Sequence, residues 1–452
     1  MFEPNNSIII VDDREDDLLE LAKVFNSIGI SCRTIQYNSE YNNPLKGVRI
    51  AFFDINISGK NYDFNQQEFN YTTDASLSSV FNDLAIAIGS CIDKESAPFA
   101  LIFWSKNTGV IDNFKVYVRE RVPKLPSPIL IDSIDKSYFI GNPDGVKERI
   151  EQIFANSSIK LLLDFENSCV SAASDIINDI YKIIPKNPQE VDKVWASNVE
   201  FEENFEKIFS KIAFSTLGLK YAKDNTDRAV SEALLPILNH NILKKSGTET
   251  KWKKHLQTLQ SSKPFFPKDF KEGILNSIFH IEYSNGDKEV RGTVIKLNKL
   301  DGNLISTLKI DDLDKWFNSF IPFIKNNDLN KKKKQIRANS ELIAVELSAA
   351  CDFSQSKPRI NKYLIGFITP IIEVKTDIDE ERRPDNSYHI GGSNFFFNEK
   401  EFQIWLNLNF VFGAKPDDPR LGDAMFILKK EIMDMIGNKY ASHISRIGIT
   451  SF

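Results

Sequence analysis

The sequence predicts an N-terminal α/β unit built on a parallel sheet, then a helical segment, then a β-rich α+β region closed by a helix. Three observations carry this. Short apolar runs alternate with helix-period patterns through the first third of the chain. The next stretch repeats its apolar residues three or four apart, and the last third opens on an Asn-Gly turn between apolar runs.

Ile8 to Val11 is a β-branched run of the kind buried in a parallel sheet, and Leu18, Leu19, Ala22, Phe25 and Ile28 follow at helical spacing. Val48 to Phe53 is the next run. A helix over Leu77 to Ile92, a run Phe99 to Trp104, a helix over Asn113 to Arg121 and a last run Ile129 to Ile131 complete the unit. This alternation fits five strands in flavodoxin-like order.

From about residue 145 to 265 the pattern is helical. Leu162, Phe165, Cys169, Ala172, Ile176, Ile180 and Ile183 are spaced three or four apart until Pro185, and Phe201, Phe205, Ile208 and Ile212 repeat the spacing. Ile281 to Ser284, Asn285-Gly286 and Val290 to Leu297 then predict a hairpin, because Asn-Gly tolerates the positive φ of a tight type I′ turn. Leu342 to Leu347 and Tyr363 to Ile372 read as strands. Phe402, Ile404, Leu406, Leu408, Phe410 and Phe412 alternate as one strand face, and Asp423 to Ile444 reads as a closing helix. The expected domains are 1–142, 143–268 and 269–452.

With 452 residues, 42% hydrophobic and 26% charged, and a net charge of -5, the chain has the composition of a soluble, multidomain globular protein. Nothing global demands nucleic acid. The start lacks the basic flank and apolar core of a signal peptide, and no apolar run reaches membrane-spanning length, so a cytoplasmic protein with no membrane partner is expected. Cys32, Cys91, Cys169 and Cys351 lie far apart without a C-x-x-C pair and read as reduced structural thiols.

Asp12, Asp13, Asp54, Ser105 and Lys136 all fall at the carboxyl ends of expected strands. In an open parallel sheet those ends converge on one ligand crevice, so residues remote in sequence share a site. Asp12, Asp13 and Asp54 supply hard oxygen ligands for Mg²⁺, Asp54 is placed to take a phosphoryl group as nucleophile, and Ser105 and Lys136 are placed to contact phosphoryl oxygens.

The segments Ile8-Ile9-Ile10-Val11-Asp12-Asp13, Phe52-Phe53-Asp54-Ile55-Asn56-Ile57-Ser58-Gly59, Trp104-Ser105 and Asp135-Lys136 resemble, in order, the motifs of response-regulator receiver domains over the first third of the chain. The resemblance implies phosphorylation of Asp54 by a histidine-kinase-like ATPase, Mg²⁺ binding, and a two-component signalling role. Ile134 stands where the family carries a switching aromatic, Ser137 where it has proline, and Lys60 to Thr73 reads as an insertion beside the site.

In the C-terminal region the segment around Cys351 and Asp352 resembles an uncharacterised module found downstream of receiver-like domains in bacterial antiphage conflict proteins. The expected function is a regulated signalling adaptor with output through other proteins of the same system, rather than an enzyme. Two alternatives stand beside it. Asp352, Glu373 and Lys375, with Cys351 nearby, match the types needed for a metal-dependent nuclease, and His389 is a candidate base for Cys351. The Lys331 to Lys334 run beside Arg337, and Lys251, Lys253 and Lys254 beside Trp252, are candidate nucleic-acid contacts.

Overall fold

The computed structural model describes residues 7–445 except 28, 61, 63, 65–68, 97, 140, 156–157, 184–198, 246–269, 285, 299–309, 311, 322–328, 349–359, 373–384 and 391–393. Contacts divide the chain into two compact units, Met1–Ile183 with Ile237–Gln260 and Ile184–Pro236 with Ser261–Phe452.

In the first unit β1 (Ile8–Asp12), β2 (Arg33–Gln36), β3 (Ile50–Phe53), β4 (Ala100–Ser105) and β5 (Leu130–Asp135) form a parallel sheet in the order β2-β1-β3-β4-β5. This is the flavodoxin-like order expected from the alternation. The chain reverses its direction of winding between β1 and β3, so the crevice at that switch point lies where Asp12 and Asp54 leave their strands. The short β2 escaped the apolar pattern because it is an edge strand in which Ile35 alone is buried.

The period-2 direction of side chains sends alternate residues to two cores. Val11, Phe53 and Phe103 pack with α2 (Ala75–Cys91) and α3 (Ile111–Arg121) on one face. Ile10, Phe52, Ile102 and Trp104 pack with α1 (Glu15–Ser27), α5 (Pro143–Ala155) and Ile159 at the start of α6 (Ser158–Ile183) on the other. Each fully buried large side chain stabilises by about 1.5–3 kcal/mol relative to exposure. The stretch read as an insertion contributes Tyr62, Phe64, Phe69 and Tyr71 to the first of these cores. The four-residue α4 (Lys136–Phe139) starts directly after β5 and so fixes where Lys136 begins.

Helical spacing places Ala172, Ile176 and Ile180 of α6 on a buried face, whereas Phe165 and Ile183 are exposed. Helices α7 (Val199–Leu217), α8 (Leu219–Asp224) and α9 (Thr226–Lys245) continue the helical stretch.

The C-terminal sheet is antiparallel and two-faced. Its strands are β6 (Ile281–Tyr283), β7 (Thr293–Leu297), β8 (Glu341–Glu346), β9 (Asn361–Thr369), β10 (Ser387–His389), β11 (Phe395–Phe397), β12 (Lys400–Ala414) and β13 (Leu421–Leu428). They run in the order β10-β12-β9-β8-β7-β13-β6, with β11 also on β12. Helix α10 (Glu272–His280) precedes β6, and one face of the sheet packs on Trp316 and Phe317 of α11 (Leu313–Phe320) and Ile336 of α12 (Leu329–Ala338). The other face packs on Ile432, Met433 and Ile436 of α13 (Lys430–Ile444).

Three expectations are corrected here. The hairpin across Asn285-Gly286 does not form, since β6 and β7 each pair with β13, which lies between them. A three-residue β6 offers few ladder bonds to a direct partner, and β13 satisfies both neighbours while burying Phe426 and Leu428. The closing helix starts at Lys430 and not at Asp423, because Leu421–Leu428 is that strand, an instance of long-range pairing overriding local propensity. The alternating face of β12 is not continuous either. Phe402, Ile404, Leu406 and Leu408 face the α13 side, but between Leu406 and Val411 the register advances five positions in β12 against two in β9, and this odd excess moves Phe412 to the opposite core, since an odd number of extra residues inverts every later side chain.

Candidate functional site

The sheet brings all five expected residues to one rim, Ser105 among them as the last residue of β4. Asp12 ends β1, Asp13 follows it, Asp54 directly follows β3, and Lys136 directly follows β5. A carboxylate oxygen from each of Asp12, Asp13 and Asp54 lies within 4.8 Å of the others. Asp12 and Asp54 are buried and Asp13 is half-buried.

Lys136 is the cation of this cluster. Its ammonium donates to Asp12 Oδ2 at 3.0 Å and lies 3.4 Å from Asp54 Oδ2. Burial lowers the affinity of Lys136 for its proton, but the charges of Asp54 and Asp12, with the hydrogen bonds that Lys136 donates to Asp17 and Asp12, outweigh it and raise its pKa. The backbone N–H of Arg14 donates to Asp12 Oδ1 at 3.0 Å. Burial pushes the Asp12 carboxyl up to about 7, against the attraction of Lys136 and with a further push from Asp54.

Ser105 is fully buried at the end of β4, and its Oγ accepts from the N–H of Asn107 at 3.3 Å, at the entry to the short turn Thr108–Val110. Phe53 pairs with Phe103, so Asp54 and Ser105 leave neighbouring strands near the same level of the sheet. Ile134 is buried in the core shared with α1 and α5.

Asp54 Oδ1 is buried and has no hydrogen-bond partner among the described residues. A buried carboxylate oxygen without a partner is costly, and a water, a cation or a covalent group can satisfy it. Three converging carboxylates are the hard-oxygen donor set that Mg²⁺ prefers, so the residues present fit such an ion.

Sequence reasoning missed two members of the site. Asp17, in the first turn of α1, accepts from Lys136 Nζ at 2.8 Å and is buried. Its signal was an acid in a helix turn whose neighbours on the buried face, Leu18 and Leu21, are apolar. Gly59 adopts φ +62°, and a Cβ there would stand 3.1 Å from Asp13 Oδ2, so glycine gives that carboxylate its room.

Cys351, Asp352, Glu373 and Lys375 lie outside the described residues, as do Lys251, Trp252, Lys253 and Lys254. His389 is buried on β10 with its ring stacked on Trp405 at 4.3 Å. Arg337 lies 3.0 Å from Asp314 and over the rings of Phe317 and Phe367, which gives it a packing role beside the lysine run of α12. Cys32, Cys91 and Cys169 are free thiols. Among the described residues no helix is long and apolar enough to cross a membrane.

No family model, curated protein or solved structure matches the chain.

Proposed function

We propose that the N-terminal unit is a receiver-like phosphoryl acceptor and that Asp54 is the residue modified. The observation that carries this is the bare, buried Asp54 Oδ1 in a carboxylate cluster whose Lys136 ammonium lies 3.4 Å from the other oxygen of the same side chain.

In this reading Asp54 Oδ1 attacks phosphorus, the new O–P bond forms as the bond to the donor breaks, and the donor leaves with its electron pair. Lys136 supplies a charge-assisted contact to the arriving phosphoryl oxygens, and Ser105 supplies a hydroxyl at the neighbouring strand end. Asp12 and Asp13 would hold Mg²⁺ together with Asp54, and that ion would offset the repulsion between phosphate and carboxylates. The physiological donor is a phosphohistidine on a histidine-kinase-like ATPase, and the output passes to partner proteins through the remainder of the chain.

Acetyl phosphate and Mg²⁺ added to the full chain should give a mass gain of one phosphoryl group that hydroxylamine removes. Asp54→Asn should abolish the gain. A wild-type protein that stays unmodified by acetyl phosphate and does not respond to beryllofluoride removes the proposal.

A further inference from the structure

A lysine ammonium has three N–H donors, and three carboxylates surround that of Lys136: Asp17 at 2.8 Å, Asp12 at 3.0 Å and Asp54 at 3.4 Å. Its side chain is 5% exposed, so water supplies little relief. The shortest contact goes to Asp17, on α1, and not to the proposed acceptor. Asp17 and Asp12 accept hydrogen bonds from this ammonium while Asp54 lies at ion-pair distance, so a phosphoryl oxygen that takes up Lys136 competes with the two hydrogen-bonded carboxylates. Asp54 is where the group attaches, and Asp12 is hydrogen-bonded a second time by the Arg14 N–H and belongs to the cation-binding set, whereas the second cation near Asp17 is the exposed Arg14 guanidinium at 3.9 Å. Asp17 is the contact left to give way.

We infer that Asp17 is a positioning residue for phosphoryl acceptance: it holds the Lys136 ammonium toward α1 in the unmodified protein and competes with the phosphoryl group for it. The inference rests on the acceptor reading above and adds to it a residue and an element. Removing a charged competitor from a buried ammonium returns its full interaction to the phosphoryl oxygens, and the competition couples α1 to the state of Asp54.

Beryllofluoride, a stable mimic of the phosphoryl group, tests this by equilibrium titration of the full chain in saturating Mg²⁺, followed by ¹⁹F spectra. Asp17→Asn is expected to bind about five- to tenfold more tightly than wild type, a coupling at the low end of the ordinary range. Asp16→Asn, an exposed neighbour on the same helix turn, reads the general effect of one charge fewer and should change affinity much less. In a Lys136→Met background the advantage of Asp17→Asn should vanish, because the ammonium contested by the two groups is gone.

Asp17→Asn binding no tighter than Asp16→Asn, or keeping its advantage without Lys136, overturns the competition while the acceptor reading stands. Failure of wild type to bind removes both. Should Asp17→Asn not fold, Asp17→Ser carries the same comparison, with the same two outcomes.

Discussion

Raising the pH of the cation-free protein should destabilise its N-terminal unit, and Asp12→Asn should flatten that dependence. The Asp12 carboxyl is raised from 3.8 to about 7, chiefly by burial, with Asp54 adding to the rise and Lys136 opposing it. A carboxyl raised in the native state binds its proton more tightly there than in the unfolded chain. Between about pH 4 and about pH 7 stability therefore falls as pH rises, and above about pH 7 the cost is fully present. At about 1.4 kcal/mol per unit the interval from 3.8 to about 7 corresponds to about 4 kcal/mol. Mg²⁺ needs the deprotonated carboxylates, so it should recover this loss near pH 8 and contribute little near pH 5, in proportion to the ionised fraction. Backbone hydrogen exchange resolves the effect within the full chain, because peptides covering β1 and β3 report the opening of this unit by itself. Wild type and Asp12→Asn are compared at matched pH between about 5 and 8, with and without Mg²⁺, so that the intrinsic pH dependence of exchange cancels. Equal pH slopes in the two proteins, or equal protection by Mg²⁺ at both ends of the range, would refute the reasoning.

Other consequences follow from the same geometry. Lys136→Met strips the cation from three carboxylates within 3.4 Å and should cost about 3–5 kcal/mol, read as earlier exchange of β1, β3 and β5 amides. Gly59→Ala forces a side chain into the left-handed region and against Asp13, and should cost about 1–2 kcal/mol with a clear loss of Mg²⁺ affinity measured by calorimetry. Gly366→Ala would drive a Cβ into the Trp405 carbonyl at the β9–β12 ladder, so exchange should accelerate in β9 and β12 while beryllofluoride binding is unchanged.

The sequence by itself determined the parallel sheet and most of the site, because both depend on local patterns. Ile8 to Val11, Val48 to Phe53 and Phe99 to Trp104 are apolar runs that only a doubly covered sheet buries, and strand order then carries Asp12, Asp54 and Lys136 to the same rim. Tertiary structure alone decided the rest. β2 is an edge strand with one buried residue, which leaves almost no periodicity to read. The place of β13 between β6 and β7, and the inversion of faces along β12, depend on partners more than a hundred residues away or on the irregular stretch between Leu406 and Val411, neither of which leaves a mark in the local pattern. Asp17 differs from its exposed neighbour Asp16 only in the direction α1 points it, so its contact with Lys136, 119 residues away, exists once the helix is docked on the sheet and not before.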